Sequence, residues 1–118
     1  MGGWGQRFLN VSPVGKVLPC HAAESIPGIQ MPSVAEGSLA DIWENAPLFR
    51  LFRGTDWMPE PCQSCAFKED DWGGCRCQAL ALAGDATATD PVCHRAPDHD
   101  LIAQAITERP NTPPTFHY

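Results

Sequence analysis

Four cysteines, Cys62, Cys65, Cys75 and Cys77, fall within sixteen positions of the stretch "PCQSCAFKEDDWGGCRC", while Cys20 and Cys93 stand well apart from them. Cys62 and Cys65 form a C-x2-C pair, whose tight turn can aim both thiolates at one metal centre with backbone N–H groups facing the sulfurs. Cys75 and Cys77 form a C-x-C pair. In an extended segment alternate side chains share a face, so these two sulfurs can also reach one centre. A centre that recruits Cys20 and Cys93 as well ties distant segments together and substitutes for missing core. The C-x2-C pair alone is a weak signal, because zinc ribbons and redox motifs share it. A simple zinc ribbon needs two such pairs, and two four-ligand centres need eight ligands where six sulfurs are present. Asp71 is the natural seventh, six residues after Cys65 and four before Cys75, with Gly73 and Gly74 permitting a sharp turn. From composition alone, Asp70 and Asp71 read instead as a solvated acidic loop. His21 beside Cys20 and His94 beside Cys93 are weaker ligand candidates, since such histidines more often support a ligand or face solvent. His99 and His117 carry no signal.

The scaffold around these residues has to be small. A length of 118 residues suits one domain, and twelve prolines with ten glycines point to a loop-rich fold rather than long helices. A core of this size stabilises modestly, so the cysteines are the expected supplement. Acidic residues exceed basic ones by six, and no basic stripe appears, which argues against a nucleic-acid partner. The opening "MGGWGQRFLN" lacks the features of a secretory signal, and no apolar run is long enough to span a membrane. The expectation is a cytoplasmic setting, where disulfides lose ground to metal ligation.

The elements follow from local signals. "RFLNVSPVGKVLPC" reads as a β-hairpin, with Phe8, Val11, Val17 and Leu18 as strand formers, Pro13 and Gly15 in the connection, and Cys20 ending the second strand. Residues 21–37 read as an ordered loop. Ser38 is the expected N-cap of a helix, with Asp41 three residues on and Leu39, Ile42 and Trp43 as its apolar stripe. Pro47 restarts the chain as a second short helix, "PLFRLFRG", which Gly54 can end. Trp43, Phe49 and Phe52 read as core rather than as a ligand groove. Residues 58–77 read as cysteine-rich coil and "QALALAGD" as a short helix stopped near Gly84. Asp90 and Pro91 are placed as N-cap and first residue of a further helical turn. "DHDLIAQAITERP" reads as an amphipathic helix with Leu101, Ile102, Ala105 and Ile106 on one face, stopped by Pro110 before a proline-rich tail.

Five motifs then combine: "P-x-G-K-V-L-P-C", "W-E-N-A-P-L-F", "P-C-Q-S-C", "G-G-C-R-C" and "T-D-P-V-C". Together they resemble the SPASM domain, the C-terminal auxiliary iron–sulfur domain of radical SAM enzymes that modify ribosomal peptides. "RFLNVSPVGKVLPCHAAESIPG", "RGTDWMPEPC" and "ATDPVC" are similar to its branch in pyrroloquinoline quinone (PQQ) biosynthesis. The likeness runs over residues 3–96. It implies a small α+β, loop-rich Fe–S domain with an N-terminal β-hairpin followed by short helices. Its expected division is an auxiliary domain over residues 1–96, an amphipathic helix over 97–109 and a tail over 110–118. It also implies two auxiliary clusters, 4Fe-4S or 2Fe-2S in type. Cys62, Cys65, Asp71 and Cys93 match the outer set, with aspartate where most of the family has cysteine. Cys20, Cys75 and Cys77 match three ligands of the inner set. The family's first inner ligand lies ahead of the matched segment, so an outside ligand, His21 or an open iron would complete that centre.

In the complete family enzyme, by the same resemblance, a catalytic barrel cleaves S-adenosylmethionine. The resulting radical joins glutamate and tyrosine side chains of a precursor peptide, with a small peptide chaperone assisting. The auxiliary domain passes electrons and helps place the peptide. This chain has no C-x3-C-x2-C motif, so the expectation is the C-terminal part of such an enzyme, from an internal start, a split gene or a decayed one, inactive in radical chemistry alone and meeting the barrel in cis or in trans. A structural zinc module that binds a partner, and a truncated product without independent function, are the competing readings.

Overall fold

The computed structural model describes residues 3–108, and the fold is α+β. A two-stranded antiparallel hairpin leads: β1 (Asn10–Val11) pairs with β2 (Val17–Leu18), with Asn10 opposite Leu18 and Val11 opposite Val17. Its turn uses the residues the sequence supplies for it. Pro13 follows Ser12, Gly15 takes φ +82°, and Gly15 N–H donates to the Ser12 carbonyl at 2.9 Å. The far edge of β2 is covered by residues 32–34: Val17 N–H donates to the Pro32 carbonyl at 2.7 Å and Lys16 bridges Ser33. The strand ends at Leu18, two residues before Cys20. The loop that follows contains a 3-10 turn at Ala23–Ser25, opened by Ala23 N–H on the Cys20 carbonyl.

Helix α1 spans Leu39–Asn45, and its cap is the expected one, with Ser38 Oγ accepting from Asp41 N–H at 3.1 Å. Ala46 then adopts an extended conformation, as a residue before proline must, and Pro47 opens α2 (Pro47–Arg50). Helix α2 stops short of Gly54, which takes φ +71° in the following turn. A third helix, α3 (Lys68–Asp71), lies inside the stretch expected to be coil. Helix α4 (Arg76–Ala83) ends on Gly84 in the left-handed conformation, φ +75°. At Asp90 and Pro91 the expected helix is a single turn, closed by Cys93 N–H on the Asp90 carbonyl. Helix α5 (Asp100–Thr107) is present, but Leu101, Ala105 and Ile106 on its apolar face are exposed. Pro110, His117 and the proline-rich tail lie outside the described residues.

Two apolar clusters hold these pieces. Val17, Ile42 and Phe49 form the smaller one, joining the hairpin to α1 and α2, with Trp43 packed against it at 5.8 Å from Phe49. Leu39 of the expected α1 stripe stays exposed. The larger cluster gathers Trp4, Ala23, Ile26, Leu48, Phe52 and Cys77. Trp4 sits edge-on to Phe52 at 5.4 Å, and its indole N–H donates to the Leu48 carbonyl at 2.8 Å. Phe52 in turn meets Trp57 at 5.1 Å. Burying aromatics this way supplies much of what so small a core can offer. Cys20 and Cys75 pack against the same cluster, so three of the candidate ligands are part of the core itself.

Candidate metal centre

All six cysteines are free thiols, and they separate into two groups. Cys20 arrives from the loop after β2, Cys75 caps α4 from extended backbone (φ −84°, ψ 119°), and Cys77 sits in the first turn of α4. Their three sulfurs lie within 4.8 Å of one another, with Cys77 Sγ 3.7 Å from Cys20 Sγ. The convergence predicted for the C-x-C pair is therefore present, but an extended segment does not produce it. The chain turns into a helix at Arg76, and the extended N-cap Cys75 and the first-turn Cys77 both present their sulfurs to Cys20. Burial, with Cys20 and Cys75 beside it, pushes the Cys77 thiol up to about 12. A coordinated cation reverses that preference by holding the thiolate directly.

The second group is arranged differently. Cys62, Cys65, Asp71 and Cys93 all line one cavity of about 430 Å³, together with Gly73, Gly74, Thr89 and Asp90. Among the described residues these four do not draw in as tightly as the first three. The C-x2-C turn is closed by Cys65 N–H on the Cys62 carbonyl at 3.0 Å. Cys62 is buried, and its sulfur lies 3.2 Å from the Thr89 hydroxyl. Asp71 is the last residue of α3 and is exposed; its Oδ1 accepts from Gly73 N–H at 3.0 Å. The two glycines carry the chain from Asp71 to Cys75 at φ +73° and +85°. A Cβ on Gly74 would run into the Asp90 side chain, 2.7 Å from Oδ2.

Asp90 joins the two groups. Its buried carboxylate accepts from Cys75 N–H at 2.8 Å and Gln78 Nε2 at 2.8 Å, and from Val92 N–H at 3.1 Å. The sequence marked it only as a local cap; its bonds to α4 are long-range and leave no local signal. Arg76 and Thr89 carry no local signal in the sequence for the same reason. Arg76 is buried between Cys75 and Cys77, and burial pulls its guanidinium below the ordinary value while Cys62, Asp90, Cys75 and Asp71 hold it up.

The histidines and Asp70 are placed as follows. His21 is exposed and pairs through Nδ1 with the Asn10 amide at 2.6 Å, outside the Cys20, Cys75 and Cys77 group. His94 is exposed and lines the outer cavity. His99, without a sequence signal, pairs with the Pro91 carbonyl at 2.8 Å and braces the turn that carries Cys93. Asp70 is exposed, and its carbonyl accepts from Arg7. The donor set fits an iron–sulfur group: soft thiolates in two clusters, one group walled by the core and the other lining a cavity with a single carboxylate.

Comparison with known proteins agrees with that donor set. The profile of the SPASM family, an iron-sulfur cluster-binding domain, matches residues 3–66. The chain is 59% identical over 118 residues to a PqqA peptide cyclase of Gluconobacter oxydans (strain 621H), covering 100% of the chain and 33% of that protein. It is 58% identical over 118 residues to a PqqA peptide cyclase of Granulibacter bethesdensis, covering 100% of the chain and 32% of that protein. A PqqA peptide cyclase of Xanthomonas axonopodis pv. citri is 59% identical over 119 residues, again with 100% and 32% covered. The chain thus spans about a third of the length of the curated relatives it matches.

Proposed function

The chain belongs to the SPASM family of iron–sulfur cluster-binding domains, and from that premise we propose that it anchors two auxiliary clusters and serves electron transfer and peptide placement in a PqqA peptide cyclase. Cys62, Cys65, Asp71 and Cys93 hold the outer cluster. Cys20, Cys75 and Cys77 hold the inner one, with its fourth position supplied from elsewhere. Bound there, such clusters accept and donate single electrons. The protein's part is to fix their spacing, bury Cys77 of the inner set in the core and leave one oxygen ligand on the outer set. Residues 1–96 form this unit, and α5 follows it.

In the complete enzyme the partner is a radical SAM barrel that uses S-adenosylmethionine, and the substrate is a precursor peptide whose glutamate and tyrosine side chains become cross-linked with a peptide chaperone in attendance. The chain carries no C-x3-C-x2-C motif, so its own contribution is electron relay and positioning, and it is inactive without the barrel.

The observation that carries this reading is the meeting of Cys20, Cys75 and Cys77, two segments more than fifty residues apart in sequence, inside the larger core cluster. One distance favours a second reading. A tetrahedral zinc with Zn–S near 2.3 Å sets its sulfurs about 3.8 Å apart, close to the 3.7 Å between Cys20 and Cys77. Each thiolate of a [4Fe–4S] cluster binds a different iron, which requires wider spacing, whereas a [2Fe–2S] cluster sets two thiolates on one iron. Anaerobic reconstitution with iron and sulfide, followed by metal and sulfide analysis and electron paramagnetic resonance, separates the two. Iron with matching sulfide and a reduced-cluster signal is expected. A colourless protein that takes up zinc and refuses iron would overturn the proposal.

A further inference from the structure

Arg76 lies between the two sulfur groups, and neither ligand set uses it. Its side chain is 3% exposed. Nη1 donates to the Ala86 carbonyl at 2.9 Å and the Ala88 carbonyl at 2.7 Å, and Nη2 donates to the Gly73 carbonyl. The guanidinium lies over the Trp57 ring at 4.6 Å and the Phe52 ring at 6.0 Å. None of these partners is charged. The ion pair found among the described residues is Lys16–Glu24, far from this site in the chain, so no described carboxylate reaches Arg76 within 4.0 Å. The buried Nε–H has no acceptor among the described residues.

A guanidinium keeps its charge in a protein, and a buried charge without a counter-charge is strongly unfavourable. Among the described residues Asp90 is the buried acid, but its two oxygens already accept from Cys75 N–H, Gln78 and Val92 N–H. Arg76 stands between Cys75 and Cys77 of the inner set, and its partner Gly73 lines the outer cavity with Cys62, Cys65, Asp71 and Cys93, so both ligand sets adjoin it. The exposed Asp85 is a further acid that feels its charge. Thiolates holding a metal–sulfide centre are net anionic, and reduction adds a further negative charge. A fixed cation in a poorly polarisable interior favours the more negative state. The orphan Nε–H is the donor left over for an anionic sulfur.

Resting on the iron–sulfur reading above, we propose that Arg76 is the shared counter-charge of both thiolate-anchored centres and holds up the reduction potential of each. It acts as a tuning residue through the charge it places between them.

The test uses the whole chain, reconstituted anaerobically, with iron and sulfide counted before any potential is read. Redox titrations followed by electron paramagnetic resonance then compare wild type with Arg76→Met and Arg76→Lys. Arg76→Met is expected to lower the midpoint potentials of both centres, and Arg76→Lys to keep both near wild type. If Arg76→Met loses iron while Arg76→Lys loads fully, the charge requirement is upheld by a different route. The proposal is overturned if both variants shift alike, if neither shifts, if only one centre responds, or if both fail to load, since each points to packing or to a single local contact. A wild-type chain that binds no iron fails the functional reading instead, and the count made at the outset tells the two apart.

Discussion

The inner and outer sulfur groups use the same kind of ligand in opposite settings. Cys20, Cys75 and Cys77 are drawn together against the core cluster that holds Trp4 and Phe52, and Cys77 is buried within it. Cys62, Cys65, Asp71 and Cys93 instead wall a cavity of about 430 Å³, with Asp71 exposed at its edge. The inner group is positioned by packing, so the core forms it and it completes the core. The outer group is positioned by backbone turns: the C-x2-C turn, the two positive-φ glycines and the Asp90–Cys93 turn. A site held by turns can admit an oxygen ligand, which is harder and exchanges more readily than a thiolate. The contrast predicts that inner substitutions damage the fold, while outer ones alter one centre and leave the scaffold standing.

The largest effect is expected at Cys77. Cys77→Ser removes a proposed inner ligand and places a hydroxyl in the core, so iron content should fall by roughly half with a sharp loss of thermal stability, because metal binding and folding are coupled. Metal analysis beside a melting curve checks both. Cys65→Ser should remove a similar share of iron with a much smaller change in melting temperature; equal losses in the two variants would erase the distinction between the groups.

Phe52→Ala comes next. It empties the space between Trp4 and Trp57 and should cost about 3–5 kcal/mol in denaturant unfolding of the loaded chain. Its spectroscopic trace should be confined to the inner centre. Gly74→Ala follows, at about 2 kcal/mol or more, from strain at φ +85° combined with collision against Asp90. That change separates the Asp90 turn from Cys75, so here both centres should broaden. The smallest effect belongs to Thr89→Val, which removes the hydroxyl beside Cys62. A cost of about 1 kcal/mol is expected, with a lowered outer potential and an unmoved inner one in the same redox titration.

What the sequence made legible, and what it did not, follows the range of the interactions. The hairpin turn, the Ser38 cap and the Gly84 stop are set by residues a few positions apart, and each forms as the local chemistry directs. The cysteine candidates were legible by type. Their geometry is legible only in part: alternation along an extended segment predicts the shared face of the C-x-C pair, but Arg76 begins a helix between its members, and "KEDD" forms α3 inside the expected coil. Asp90, Thr89 and Arg76 gain their meaning from partners twelve or more residues away, or from burial, neither of which spacing encodes. The helical spacing of apolar residues in α5 is present in the fold, yet the described residues leave that stripe largely uncovered.

The central claim is that one small scaffold gathers its sulfur into two iron-bearing places, one inside the core and one in the adjoining cavity. Crystals of the anaerobically reconstituted chain, measured across the iron absorption edge, test it most directly. Two anomalous iron peaks are predicted, one among Cys20, Cys75 and Cys77 and the other beside Cys62, Cys65, Asp71 and Cys93. A zinc peak in the first place, or no iron in either, would contradict the account.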